Sequence, residues 1–558
     1  MQRQTNNPFL KYFTIVVLIA AVGLAARFAQ LSLFKRVNGE WLSDYGRQSS
    51  VGRSSIMQIR RGTIYDAKAS PIVMDTTSYT LVAILQSDWD KNFVKDPDVT
   101  AATLSRYVDL SRDEILERLL NPDAYQVEFG DIEPLTAQTK KAIEAENLPG
   151  ITFVSQSQRQ YVNPIYASHL IGYTMPTQEE GSLSATIIEG QTGIEYAYND
   201  ALNGRLIPQQ DALVSGEDIY LTLDTRLQNQ LEGLMNEYQQ RYQPAALQVY
   251  LVEMETGKMI AAAQRPTFDL NTLTGIEAEW KNLLIEEAYE PGSTVKMLTT
   301  AVAYDKQLFS PTELFQSGSI NVYDQVVKDH NQVGWGAITF EEGFARSSNV
   351  AMVNLVNRMG DDVWATKLLE FGFGQQTDFG LANESLGSVV FDSPVTRTMS
   401  GFGQGFSATP IQLLQAYSAI GNNGTMLKIQ VINGIGQNSA YQVKSLGQPI
   451  SSDAANYVLN LMIDTVEKPY GTASAFKHPT MRVAAKTGTA QIADPNGTGY
   501  LTGENDYYHS ATVFFPAEQP KYMMYLAMKQ PQQTYGMLGS QILGQLFNRF
   551  VNTVMIGQ

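Results

Sequence analysis

A chain of 558 residues, 44% hydrophobic and 17% charged, has apolar mass for several domains and is not a disordered segment. A formal net charge of −16 argues against a nucleic-acid partner, since phosphates would be repelled. The absence of cysteine excludes disulfides, thiolate catalysis and cysteine-bound metal, and His169, His330, His478 and His509 fall into no metal-ligand spacing, so neither metal nor cofactor is expected.

Residues 1–11 carry Arg3 and Lys11 and no acid, and read as a short tail. From Tyr12 to Ala26 every residue but Thr14 is apolar or small; Arg27 interrupts, and the apolar character resumes through Phe34. About 20 such residues cross a bilayer. Residues 12–34 therefore read as a membrane anchor, with Arg27 snorkelling to an interface. Gly23-Leu24-Ala25-Ala26 would suit a cleaved signal peptide, but the continuing apolar run favours an uncleaved span. Charge leaves the orientation open, because Lys35 and Arg36 balance Arg3 and Lys11.

Residues 38–240 form a region of mixed pattern. Arg61 to Asp66 and Pro71-Ile72-Val73 read as strand, turn, strand. Ser111 with Glu114 is a capping box opening an amphipathic helix. A second helix is expected from about Thr136 to Ala145, ending before Pro149-Gly150. Gly190 to Tyr196 and Leu202 to Arg205 hold Arg and Glu residues that pair as scaffold rather than as a reactive site.

A second domain is expected over 241–558. Ala246–Met254 and Met259–Ala263 flank a Glu255–Lys258 turn; Thr512–Phe515 and Tyr522–Met528 flank another. A helix from about Met537 to Met555 closes the chain. Strands at both ends with helices between imply an α+β fold, with an antiparallel sheet built from distant segments.

Inside this domain lies Glu290-Pro291-Gly292-Ser293-Thr294-Val295-Lys296, followed by an apolar run through Tyr304. Pro-Gly breaks the chain and delivers Ser293 to the start of a buried helix, with Lys296 nearly one turn on. A serine becomes a nucleophile when a neighbouring base takes its proton, and a lysine of lowered pKa is such a base. S-x-x-K alone is a weak signal. It is followed, however, by Ser347-Ser348-Asn349 and then by Lys486-Thr487-Gly488-Thr489. S-x-x-K, S-x-N and K-T-G in that order are the signature of penicillin-interacting serine enzymes.

With Gln264 to Asp269, Phe402-Gly403-Gln404-Gly405 and Lys486 to Asp494, these motifs resemble the division-specific class B penicillin-binding proteins of Gram-positive cocci, the 2x group, over nearly the whole chain. The resemblance implies an N-inside, single-pass anchor, an extracellular pedestal of dimerisation type, and a transpeptidase domain whose sheet is flanked by helices around a buried active-site helix. It implies a peptidoglycan D,D-transpeptidase that joins stem peptides, a D-Ala-D-Ala donor and an amine acceptor, through acyl-Ser293. Trapping by β-lactams and membrane partners, a polytopic septal glycan polymerase and other division proteins, are implied too. The PASTA modules of the nearest relatives are not seen before Gln558.

In this reading Lys296 takes the Ser293 proton, and Lys486 is the second cation that keeps Lys296 neutral. Ser347 relays a proton toward the leaving amine. Asn349 holds Lys296 and the substrate's peptide carbonyl. Lys486, Thr487 and Thr489 grip the terminal carboxylate, Gly488 lets backbone approach closely, Gln491 lies on the binding strand, and the N–H groups of Ser293 and Thr489 are the oxyanion donors. Whether Lys296 or a Ser347–Lys486 pair is the acting base stays open. Glu384 is the lone candidate for activating water, and reads better as a loop acid. An elongation-type transpeptidase, a β-lactam sensor and a β-lactamase-like hydrolase are the alternatives. Gly403-Gln404-Gly405 reads as a tight turn at the cleft rim.

Overall fold

The computed structural model describes residues 60–556, apart from 87–90, 179–185, 208–211, 437–439, 495–496 and 498, together with two paired dipeptides, Arg36–Val37 and Glu40–Trp41. The expected anchor at 12–34 lies outside the described residues, among which no helix is long and apolar enough to cross a membrane.

The pedestal is built on one long antiparallel pair. Strand Pro71–Ile84 pairs, from Val73 to Ala83, with the whole of Ile151–Tyr161. Sequence reading stops this strand at Val73, but the Thr-Thr-Ser-Tyr-Thr-Leu-Val stretch that follows is rich in β-branched and aromatic residues and continues it. The chain between the two strands forms helices Pro97–Leu104, Arg112–Leu119 and Ala137–Ala145, which close over their own core of Leu81, Leu104, Ile115, Phe129 and Ile143. Ser111 and Glu114 form the capping box, each side chain taking the other's backbone N–H.

Farther along the pair, Glu195 is fully buried and accepts from Arg61 Nε at 2.7 Å and Arg159 Nε at 2.8 Å. Arg159 also reaches Asp75 at 2.9 Å. Two guanidinium groups and two carboxylates balance one another, which is how charge tolerates burial. The Glu of the Gly190–Tyr196 stretch is thus part of the frame.

Strand Ile219–Leu221 pairs parallel with Ile64–Tyr65 and antiparallel with Ile432–Ile435, so a strand from deep in the second domain completes the pedestal sheet. Helix Thr225–Tyr242, which a boundary at 240/241 leaves with the pedestal, packs on the second domain's sheet instead. Its stripe of Leu227, Leu231, Met235, Tyr238 and Tyr242 recurs at three and four residues and needs an apolar surface.

That sheet has five antiparallel strands in the order Met259–Arg265, Pro244–Glu253, Tyr522–Pro531, Tyr507–Phe515, Ala484–Gln491. Both faces are covered, and the period-two alternation sorts the side chains. Leu247, Val249 and Leu251 meet helices Thr225–Tyr242 and Gly539–Ile556. Tyr250 and Val252 join the larger core with helices Lys296–Asp305, Pro410–Gly421 and Ser452–Glu467. The K-T-G segment occupies the edge strand Ala484–Gln491, so one side of its backbone has no strand partner and faces the serine turn.

Candidate active site

Ser293 sits on a single turn of 3₁₀ helix, Gly292–Val295, that runs into helix Lys296–Asp305. Gly292 has φ +60°, the left-handed region that suits glycine. A Cβ there would also lie 2.9 Å from the Thr489 carbonyl oxygen. Residues 294–303 are all buried, whereas Ser293 is half-exposed, and its hydroxyl makes no hydrogen bond among the described residues. The nucleophile candidate therefore faces outward from a rigid, apolar helix.

Gly403 and Gly405 hold the turn from the other side. Gly292 N donates to Gly403 O at 3.0 Å, and Gly405 N donates to Glu290 Oε1 at 2.8 Å. Gly403 has φ +89°, and a Cβ on it would stand 1.7 Å from Gly292 O, so no other residue fits.

Ser347 also has a left-handed backbone, φ +58°, a conformation that costs a non-glycine residue about 1 kcal/mol or more. The two residues after it hold it there. Ser348 is the N-cap of helix Asn349–Met359, accepting from Ala351 N at 3.0 Å, while its own hydroxyl donates to Asp329 at 2.7 Å. Asn349 Nδ2 donates to Lys328 O at 2.9 Å, which turns its Oδ1 toward Lys296.

The two lysines meet at Ser347. Lys296 Nζ donates to Ser347 O and to Asn349 Oδ1, both at 2.7 Å, and lies 3.2 Å from Ser347 Oγ. Lys486 Nζ donates to the same Oγ at 2.9 Å and to Thr487 O at 3.0 Å. Both lysines are fully buried. Burial, and after it the Lys486 cation, hold the Lys296 amine well below the ordinary lysine range, with Asp329 opposing. Burial brings Lys486 down to about 7. A neutral Lys296 has two hydrogens and one lone pair. Two carbonyl oxygens at 2.7 Å take the hydrogens, leaving the lone pair for a hydroxyl. Ser347 Oγ, accepting from Lys486, keeps its own hydrogen free to donate to Lys296.

Strand Ala484–Gln491 approaches the serine turn closely. A Cβ on Gly488 would lie 3.0 Å from Pro291 O and 2.5 Å from Ser510 Oγ. Thr489 is exposed and turns its backbone toward Gly292, whose Cβ would lie 3.3 Å from Thr489 N. Ser293 N is in the first turn of its helix, where N–H groups have no partner within the helix. Thr487 donates its hydroxyl to Thr472 at 3.3 Å, a neighbour that sequence reading did not single out. Gln491 is half-buried at the end of the strand.

Two acids were missed in the sequence. Asp329 is fully buried behind Ser348. Glu290, three residues before Ser293, accepts from the Tyr500 hydroxyl at 3.1 Å on each oxygen, and burial raises its pKa. The E-P-G-S spacing could have pointed to Glu290; Asp329 stands in no motif. Glu384 spends an oxygen on Thr377 N at 2.6 Å, bracing its loop.

Residues 248–552 match the penicillin-binding protein transpeptidase domain, and residues 56–233 the penicillin-binding protein dimerisation domain. Stage V sporulation protein D of Bacillus subtilis (strain 168) is 24% identical over 98% of this chain and 86% of its own. Peptidoglycan D,D-transpeptidase FtsI of Escherichia coli (strain K12) is 24% identical over 97% of this chain and 91% of its own. The crystal structure of penicillin-binding protein 2X from Streptococcus thermophilus agrees with a TM-score of 0.79 at 29% identity, covering 89% of this chain and 79% of that one.

Proposed function

The chain belongs to the penicillin-binding protein transpeptidase family, and we propose that it cross-links peptidoglycan through an acyl-enzyme on Ser293. The observation that carries this reading is the pair of buried lysines sharing Ser347 Oγ, at 3.2 and 2.9 Å, beside the turn that presents Ser293. Lys296 takes the Ser293 proton, and Oγ attacks the carbonyl between the last two D-alanines of a donor stem peptide. The N–H groups of Ser293 and Thr489 receive the oxyanion; losing one such donor costs about 10²–10³ in rate. As the tetrahedral adduct collapses, the C–N bond breaks. A proton passes from Lys296, through Ser347, to the departing D-alanine amine. An acceptor amine then attacks the ester, gives up a proton to the same relay, and Ser293 regains its hydrogen. Lys486 and Thr489 hold the donor's terminal carboxylate. Asn349 orients Lys296 and meets the donor's peptide carbonyl.

A β-lactam carries the same carboxylate and acyl carbonyl but keeps its amine tethered, so it would remain on Ser293. Relatives at 24% identity include FtsI and a sporulation protein, which supports a role in septal or related wall synthesis, with the anchor at 12–34 holding the enzyme to the membrane, its catalytic domain outside, beside a glycan polymerase. The test is the acyl-enzyme itself. Incubation with donor and acceptor peptides should give cross-linked product, with far less hydrolysed donor. Hydrolysed donor as the main product would favour a hydrolase.

A further inference from the structure

Two buried lysines a few ångströms apart raise a question of charge. Desolvation disfavours each cation, and the two repel. Lys296 and Lys486 are both fully buried, and both nitrogens lie within hydrogen-bond distance of Ser347 Oγ, at 3.2 and 2.9 Å. The charged groups around them come from three segments. From the segment before the Ser347 turn come Lys328, which is exposed, Asp329, which is fully buried, and His330, whose ring lies against Trp335. Arg346 precedes Ser347, but its charge is met by Glu342 at 2.8 Å. The edge strand contributes Lys486 itself. Desolvation lowers the His330 pKa, so the imidazole brings no cation at neutral pH. Among the described residues of these segments Asp329 is the one buried carboxylate without a cationic partner, bonded to Ser348, which lies between the Ser347 and Asn349 that hold Lys296.

Asp329 is held firmly. Its Oδ1 accepts from the Ser348 hydroxyl at 2.7 Å and from Val350 N at 3.1 Å, and its Oδ2 accepts from Gly318 N at 2.8 Å. None of these donors is charged, and Asp329 opposes the lowering of the Lys296 pKa. The same bonds fix Ser348, the N-cap that keeps Ser347 in its left-handed turn. We propose that Asp329 is a positioning residue of the transpeptidase reaction: it locks the Ser347 turn and, as the buried carboxylate beside that turn among the described residues, sets the lysine pair to hold one positive charge, one ammonium beside one free amine. Its consequence for rate rests on the reading of Lys296 as base. The count of charges does not.

Two measurements test this on the full chain. In protein carrying ¹⁵N-lysine at pH 6, these two side chains should give one ammonium and one amine signal, assigned by the loss of one in Lys486→Met. Two ammonium signals, or two amines, would overturn the proposal. The second measurement is the pH profile of acylation by a labelled penicillin. Asp329→Asn removes the charge, favours neutral lysines, and should move the acidic limb down by about one pH unit, the lower end for loss of a nearby opposite charge. Ser348→Ala breaks the bond to Asp329 and the cap but keeps the charge, so it should slow acylation and leave the limb in place. A limb unmoved in Asp329→Asn, or moved equally by Ser348→Ala, contradicts the proposal. If Asp329→Asn does not fold, the proton count in the wild type decides. A wild type with no acidic limb but one ammonium and one amine would sink the base assignment and leave the role of Asp329 standing.

Discussion

Replacing Lys486 with methionine isolates the repulsion between the two amines. Both bond the same hydroxyl, at 3.2 and 2.9 Å, so they are at most about 6 Å apart. At an effective dielectric of about 20, two unit charges at that separation repel by about 3 kcal/mol, or about two pH units. Lys486 titrates at about 7, so the repulsion acts in full only below neutrality. In the wild type it adds to burial in holding the Lys296 pKa down. Lys486→Met removes it, raises the Lys296 pKa, and should carry the acidic limb of acylation upward by one to two pH units. Methionine also loses the carboxylate contact, so the whole profile falls, and the position of the limb is the readout rather than its height. The assay is the second-order acylation rate with a labelled penicillin from about pH 5 to 9. A limb that stays in place, or moves to lower pH, would refute the claim that Lys486 tunes Lys296. The sign is opposite to that expected for Asp329→Asn, so the pair of variants brackets the electrostatics.

Asn349→Ala removes one of the two short acceptors of Lys296 and frees Lys328 O to an exposed surface. One neutral hydrogen bond is worth about 1 kcal/mol, so acylation should slow about fivefold with little change in stability, read by stopped flow and thermal unfolding. Gly403→Ala combines φ +89° with a Cβ 1.7 Å from Gly292 O, and should abolish labelling of Ser293, whereas Gly447→Ala, at φ +111° with no atom within 4 Å of its Cβ, should cost about 1 kcal/mol of stability and no labelling. Glu195→Ala leaves two buried guanidinium groups with Asp75 alone. It should destabilise the pedestal by about 3–5 kcal/mol in a denaturant titration, while acylation of the folded enzyme keeps its wild-type rate.

The parts legible in the sequence were those governed by local rules. The hairpin around Glu255–Lys258, the Ser111 capping box and the turn before Ser293 each depend on neighbours within a few residues, and the structure forms all three. The meeting of Lys296, Ser347, Asn349 and Lys486 was expected from motif order and resemblance, because spacing alone cannot say that three distant segments converge. What stayed hidden depends on long-range packing. Strand Ile432–Ile435 joins the pedestal sheet across more than two hundred residues, and helix Thr225–Tyr242 chooses the catalytic sheet over the pedestal. Asp329 looks like any loop acid until the fold buries it behind Ser348. Glu290 was visible but mute, since its partners Gly405 and Tyr500 lie 115 and 210 positions away.

The central claim is that Ser293 carries the acyl group, and mass spectrometry of the protein digested after labelling with penicillin tests it most directly. The adduct should fall on the single peptide containing Ser293, persist for minutes or longer, and vanish in Ser293→Ala. An adduct on any other residue, or one that survives in Ser293→Ala, contradicts the account.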